Sequence, residues 1–482
     1  MFTKISRIVC MIGALAAGAS MLALPAFAEE TGSAVTFNKD VLPILQKNCQ
    51  SCHRPGQIGP FSMLSYKDTR PWAKAIKAAV TSRTMPPWFA DARYGHFLND
   101  RSLKQADIDK IAAWVDSGAA EGDAKDAPSP TQWPAAGWQV QPDVVVELPP
   151  FQVPARGVLD WMTLVIPAPF KEDTWITSME ILPSEPSTVH HACWDFYPHK
   201  PEYLYNTYEW SEIPRDDEGI AERTPRPAPA PGAPAAAAGA GEGGNAFVPA
   251  NATVVTREVG STVEKRRKGR PVNPNGGIYC YLPGLTLEDY RPMNAAYFLP
   301  AGSDIAINLH YTTNGLAVTD KTRIGFTVAK TPPAKQFFPQ TQMPNQLLSI
   351  AQERPTTELA IPPYEANYLG PPTVSTFNKD VELVTLRPHA HVRGKSAKYT
   401  LTYPDGHEEV VLNVPRYDFN WQLSYATSLK IPKGSKMTTQ FVYDNSPGNK
   451  YNPDPSKWVY QGQQSWEEMG TPFLGFVVDR TQ

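Results

Sequence analysis

Apolar positions along the chain recur with two different periods, and the change between them divides the sequence. Up to about residue 122 the period is helical. Residues 105–117 place Ile108, Ile111, Trp114 and Val115 on one face and stop at Gly118. A second helix is predicted over 72–80, and a short one runs through Val41, Ile44 and Leu45 with Asn38 placed to cap it. Beyond about residue 138 the helical period gives way to short apolar runs broken by Pro and Gly. They fall at 143–147, 164–166, 305–310, 323–328, 381–386, 398–403, 408–412 and 437–443. Strands at this spacing predict antiparallel sandwiches. The expected architecture is a small all-α domain followed by two all-β antiparallel sandwich domains.

Composition sharpens the boundaries. At 482 residues there is room for roughly three domains, and 49 prolines with 12 tryptophans suit β-rich domains with many turns. A formal charge of −3 gives no basic excess, so nucleic acid is not expected as a partner. Residues 1–28 read as a secretion signal. Lys4 and Arg7 precede an apolar stretch from Ile8 to Leu24, and Ala26-Phe27-Ala28 offers cleavage after Ala28. The mature chain is then expected in the periplasm, with no later run long enough to span a membrane. Residues 29–122 form the helical domain and 123–138, rich in Ala, Asp and Pro, form a linker. Within the β part, about 223–246 is nearly all Pro, Ala, Gly and Glu and reads as a disordered insertion. The basic run Lys265-Arg266-Arg267-Lys268 reads as a solvated loop.

The cysteines give the first chemistry. Cys49-Gln50-Ser51-Cys52-His53 is C-x-x-C-H, the attachment sequence of a c-type haem: the thiols add to the vinyl groups and His53 becomes an axial ligand. The helices on either side resemble those of a class I cytochrome c, whose second axial ligand is usually a methionine. Met85, stiffened by the prolines after it, is the expected ligand, with Met63 as its rival. Once the signal leaves with Cys10, Cys193 and Cys280 remain, either as a disulfide or as two buried thiols.

Five of the nine histidines fall in a pattern: His190-His191, then His310 at a strand end, then His389-Ala390-His391. On a strand, residues i and i+2 share a face, so His389 and His391 can hold one metal, whereas adjacent His190 and His191 need a twist or bulge to do so. His96, His199 and His407 show no such pattern.

This order, followed by Met469 in Glu467-Glu468-Met469, resembles the copper type II monooxygenases, the peptidylglycine α-hydroxylating and dopamine β-type enzymes. Trp421-Gln422, Lys433-Gly434, Asp444-Asn445-Ser446 and Asn452-Pro453-Asp454-Pro455 add to the likeness, which covers about 140–482. The resemblance implies two jelly-roll-like sandwiches, 139–345 and 346–482, each binding one copper. His190, His191 and His310 match the electron-transfer copper site; His389, His391 and Met469 match the one that binds O2. It implies hydroxylation of a C–H bond of a small organic substrate with O2. The fused haem stands where the animal enzymes use ascorbate, fed by a periplasmic electron donor. Arg387 matches an arginine that binds a substrate carboxylate in some members; the alternatives are a residue supporting the copper ligands from behind or a structural ion pair. Thr471 and Phe473 replace the Asn and Tyr that complete that clamp, so a peptidylglycine substrate does not follow. The competing reading is a periplasmic copper and haem electron-transfer or copper-handling protein without hydroxylase activity.

Overall fold

The computed structural model describes residues 35–134, 137–157, 159, 162–201, 203–210, 279–339, 359–462 and 465–480. The predicted secretion signal, the 223–246 segment and the basic run at 265–268 lie outside the described residues. The protein is mostly β-sheet, preceded by short helices.

The helices Leu42–Asn48, Ala73–Thr81 and Gln105–Asp116 surround a core of Phe37, Leu45, Ile76, Ile111 and Trp114. The last two match the predicted helices to within a residue, and Gly118 leaves the final one with φ +100°. Asn38 does not cap a helix. It is buried inside the first turn, and its side-chain amide donates to the carbonyls of Gly122 and Asp123, tying the start of this region to its end. That long-range pair of acceptors is invisible to a local capping rule.

Every predicted strand forms; Arg323–Val328 matches its prediction, Val144–Glu147 is one residue shorter than predicted, and the other six are longer. The first β core lies between a five-stranded sheet, holding Met162–Pro167, Val189–Pro198 and Ser303–Tyr311, and one half of a nine-stranded sheet. The second lies between the other half of that large sheet and a five-stranded sheet built on Gly394–Thr402 and Lys436–Tyr443. One sheet therefore serves both cores. Its seam is the strand Lys335–Pro339, parallel to Ala295–Leu299 on one side and antiparallel to Gly470–Asp479 on the other. Ion pairs Lys335–Glu382 at 2.7 Å and Arg387–Glu288 at 3.1 Å cross the same seam. Cys193 and Cys280 are joined in a disulfide that links neighbouring strands.

The helical region is not a free module. Its loop after Thr81 lies on the second sandwich, where Phe89 joins that sandwich's core and Trp88 and Phe97 pack on Tyr425 at 4.9 and 5.3 Å. Arg416 clasps the loop, donating to the carbonyls of Ser82 and Arg83 and covering the Phe89 ring at 4.9 Å. Phe89→Ala is expected to cost about 3 kcal/mol, the low end for a buried phenylalanine. A thermal melt of the whole chain checks this. Among the described residues no helix is long and apolar enough to cross a membrane.

Candidate metal centres

His190 and His191 lie on the strand Val189–Pro198, hydrogen-bonded to Ser303–Tyr311, which carries His310. The ladder pairs His310 with His191 and then Tyr311 with Val189, so His190 is an extra residue. This is the bulge that adjacent histidines need to face one point. Ligand atoms of the three residues all lie within 4.8 Å of one another, a grouping that fits one metal ion. Burial, then His190, pushes His310 down to about 3, with the Leu159 carbonyl acting the other way. Burial, then His389, pushes His190 down to about 4. His191 falls well below the usual value for the same reason, burial first. At neutral pH the three imidazoles are uncharged, the form that binds metal.

His389 ends the strand Val381–Ala390 and His391 follows it, their ring centres 5.2 Å apart. Ladder pairing sets Ala390 opposite Gly470, so Met469 arrives beside this pair. A single carboxylate fixes that meeting. Glu468, fully buried, accepts the amide N–H groups of His391, Arg393 and Met469. Arg393 in turn donates to the Asn445 side chain at 3.0 Å, and Asn452 donates to the same oxygen at 2.9 Å. The Asp444-Asn445-Ser446 and Asn452-Pro453 segments thus scaffold the methionine corner.

Gln422 accepts from His389 Nδ1 at 2.7 Å, which leaves Nε2 as the ring's lone-pair donor. Its backbone sits at φ +38°, strain that a non-glycine residue bears where the surrounding structure imposes it. Burial pushes His389 down to about 4, the Gln422 contact raises it and Arg387 lowers it further. Gln422→Leu is expected to weaken metal binding at this pair by about 10–100-fold while the three-histidine set keeps its affinity. Competition with a metal chelator measures both.

No family model and no curated protein matches the chain.

The two sets face each other across one ring. Phe419 lies 5.2 Å from His190 and 6.1 Å from His391, so those imidazoles are no further apart than the sum of the two. Arg387, on the same strand as His389, is 5% exposed and paired with Glu288, whose other oxygen accepts from Tyr290. The ion pair engages Nη2, while Nε is buried without a hydrogen-bond partner among the described residues, and Phe473 takes a place against the His389 ring at 5.7 Å.

In the helical region Cys49 follows Leu42–Asn48, and the amides of Cys52 and His53 both turn back to its carbonyl. His53 Nδ1 sits 3.2 Å from the Phe61 carbonyl, and Phe61 stacks between His53 and Trp72. Burial pushes the Cys49 thiol up to about 12. Met63 is 5% exposed in the helical core, a packing position, whereas Met85 is half-buried after the second helix.

Sequence reasoning missed Phe419, the support from Gln422 and the role of Glu468. Two acidic residues directly before a methionine in an apolar strand region were a signal for the last of these.

Proposed function

We propose that the chain is an exported copper-dependent monooxygenase that hydroxylates a C–H bond of a small organic substrate with O2. Its electrons come through a haem attached at Cys49 and Cys52, with His53 and Met85 as axial ligands. In this reading 29–122 is a class I-like cytochrome c domain, and 139–345 and 346–482 are the two copper-binding sandwiches.

The observation that carries the reading is two unlike ligand sets facing one another across Phe419. The donors fit copper: three neutral imidazoles hold it in both oxidation states, and pairing two imidazoles with a soft thioether favours Cu(I). Copper bound at the two sets would supply one-electron transfer and activation of O2. The chain's own residues do the rest. Gln422 sets the tautomer of His389. Glu468 holds His391 and Met469 at one corner. Phe419 fills the space between the sets, and Phe473 gives the His389 side an apolar wall for a C–H group.

Isotopically labelled O2 tests this directly. Copper-loaded, haem-attached protein with a reductant is incubated with a panel of small organic molecules, and label is sought in the products. Label found with the native protein and lost with Met469→Leu supports hydroxylation. Oxygen-independent copper and haem redox cycling, without label in any product, favours the electron-transfer alternative.

A further inference from the structure

The haem-attachment segment meets the three-histidine sandwich at one tight turn. Leu282 and Leu285 exchange backbone hydrogen bonds, and Gly284 between them has φ +79°. A β-carbon built on Gly284 would lie 3.7 Å from the Cys52 sulfur and 3.2 Å from the Arg101 guanidinium. The positive φ favours glycine here, and a larger side chain would press on the sulfur and the guanidinium. Arg101 also donates to the Gly284 carbonyl at 3.5 Å, and Trp88, Leu282, Leu285 and Trp421 line the same crevice.

The turn extends the strand Tyr279–Tyr281, which is laddered to Val189–Pro198. Tyr281 pairs with Ala192, the residue after His191, and Cys280 pairs with Cys193 and is bonded to it. Tyr281 is 2% exposed, and its hydroxyl is raised first by burial and then by Cys52. From Cys52 the path therefore runs by the Gly284 turn and the Tyr281 ring, whose hydroxyl feels the Cys52 sulfur, and crosses a strand ladder to the residue adjoining His191.

We propose that the Cys280–Leu285 hairpin is the electron relay from a haem bound at Cys52 to a copper held by His190, His191 and His310. The proposal rests on the haem and copper reading above and adds its route. One electron leaves iron(II) haem, giving iron(III), and reduces copper(II) to copper(I); no bond or proton changes hands. The Cys193–Cys280 disulfide is the brace that keeps the hairpin in register. The opposite wall of the crevice offers a competing route, because Trp421 precedes Gln422, the partner of His389.

The test uses whole protein with haem attached and copper(II) loaded, kept anaerobic. An electron is injected photochemically into the haem, and haem reoxidation is followed by absorbance while copper(II) is followed by electron paramagnetic resonance. Gly284→Val inserts a side chain into the contact, Tyr281→Leu removes the ring while keeping an apolar core residue, and Trp421→Leu interrupts the other route. Gly302→Val is the control for backbone strain, since φ there is +69° with nothing within 4 Å. The expected result is first-order reoxidation that slows several-fold in Gly284→Val and Tyr281→Leu, with native rates in the other two. Haem and copper contents stay unchanged. Native rates in both hairpin variants, or slowing in Trp421→Leu alone, overturn the relay and leave the haem and copper reading standing. Native protein that takes up no copper or no haem overturns both. If Gly284→Val does not fold, Tyr281→Leu decides.

Discussion

Glu468→Ala is expected to destabilise the protein by about 3–5 kcal/mol and to strip copper from the His389, His391 and Met469 set. The carboxylate is fully buried and accepts three amide N–H groups, those of His391, Arg393 and Met469. Alanine leaves all three amide donors without that acceptor and removes the charge that the Arg393 guanidinium favours, and a buried unsatisfied group costs about 1–3 kcal/mol. Burial raises Glu468 to about 7, while the amides and Arg393 favour the charged form. The same three bonds hold a histidine and the methionine at one corner, so their loss lets the ligands separate. Glu468→Gln keeps one carbonyl oxygen and should fall between alanine and the native protein. Thermal melts and metal analysis read both effects, and the three-histidine set should keep its copper throughout.

His310→Ala is expected to remove copper from the other set and to stop turnover, while changing stability far less. The site is assembled from two neighbouring strands, with two histidines supplied across a bulge and His310 from the partner strand. Without His310 the strand bearing the bulge offers only His190 and His191. Affinity should fall by more than the roughly 10–100-fold that follows loss of a residue behind a ligand. Copper content should drop by about half, with the imidazole-rich copper(II) resonance lost and the other retained. Equal loss from both sets would contradict the assignment of separate sites.

Much of this was legible in the sequence. The 105–117 and 323–328 predictions match helix Gln105–Asp116 and strand Arg323–Val328: the helix has one buried face and a clean period, and the strand is a short apolar run around Ile324 and Phe326. The strands Val189–Pro198 and Gly470–Asp479 gave no such signal. Both have runs of consecutive buried residues rather than alternation, and the second opens with Gly470-Thr471-Pro472, residues that normally break a strand. These two strands carry or adjoin three of the six copper-ligand candidates. The histidine order could be read without them, since ligand identity survives when strand boundaries do not. The bulge at His190 followed from sterics alone. Phe419 between the sets could not be read in advance, because its loop reaches both sites only through long-range packing. The same limit hid Asn38, whose partners lie 84 and 85 residues away.

The central claim is that two separate ligand sets each hold copper beside one attached haem. The copper-to-haem ratio of protein exported with its haem, loaded with copper and desalted, tests it most directly. A ratio of about two is expected, falling to about one in either His310→Ala or His389→Ala. A native ratio of about one, or one that neither substitution changes, would contradict the account.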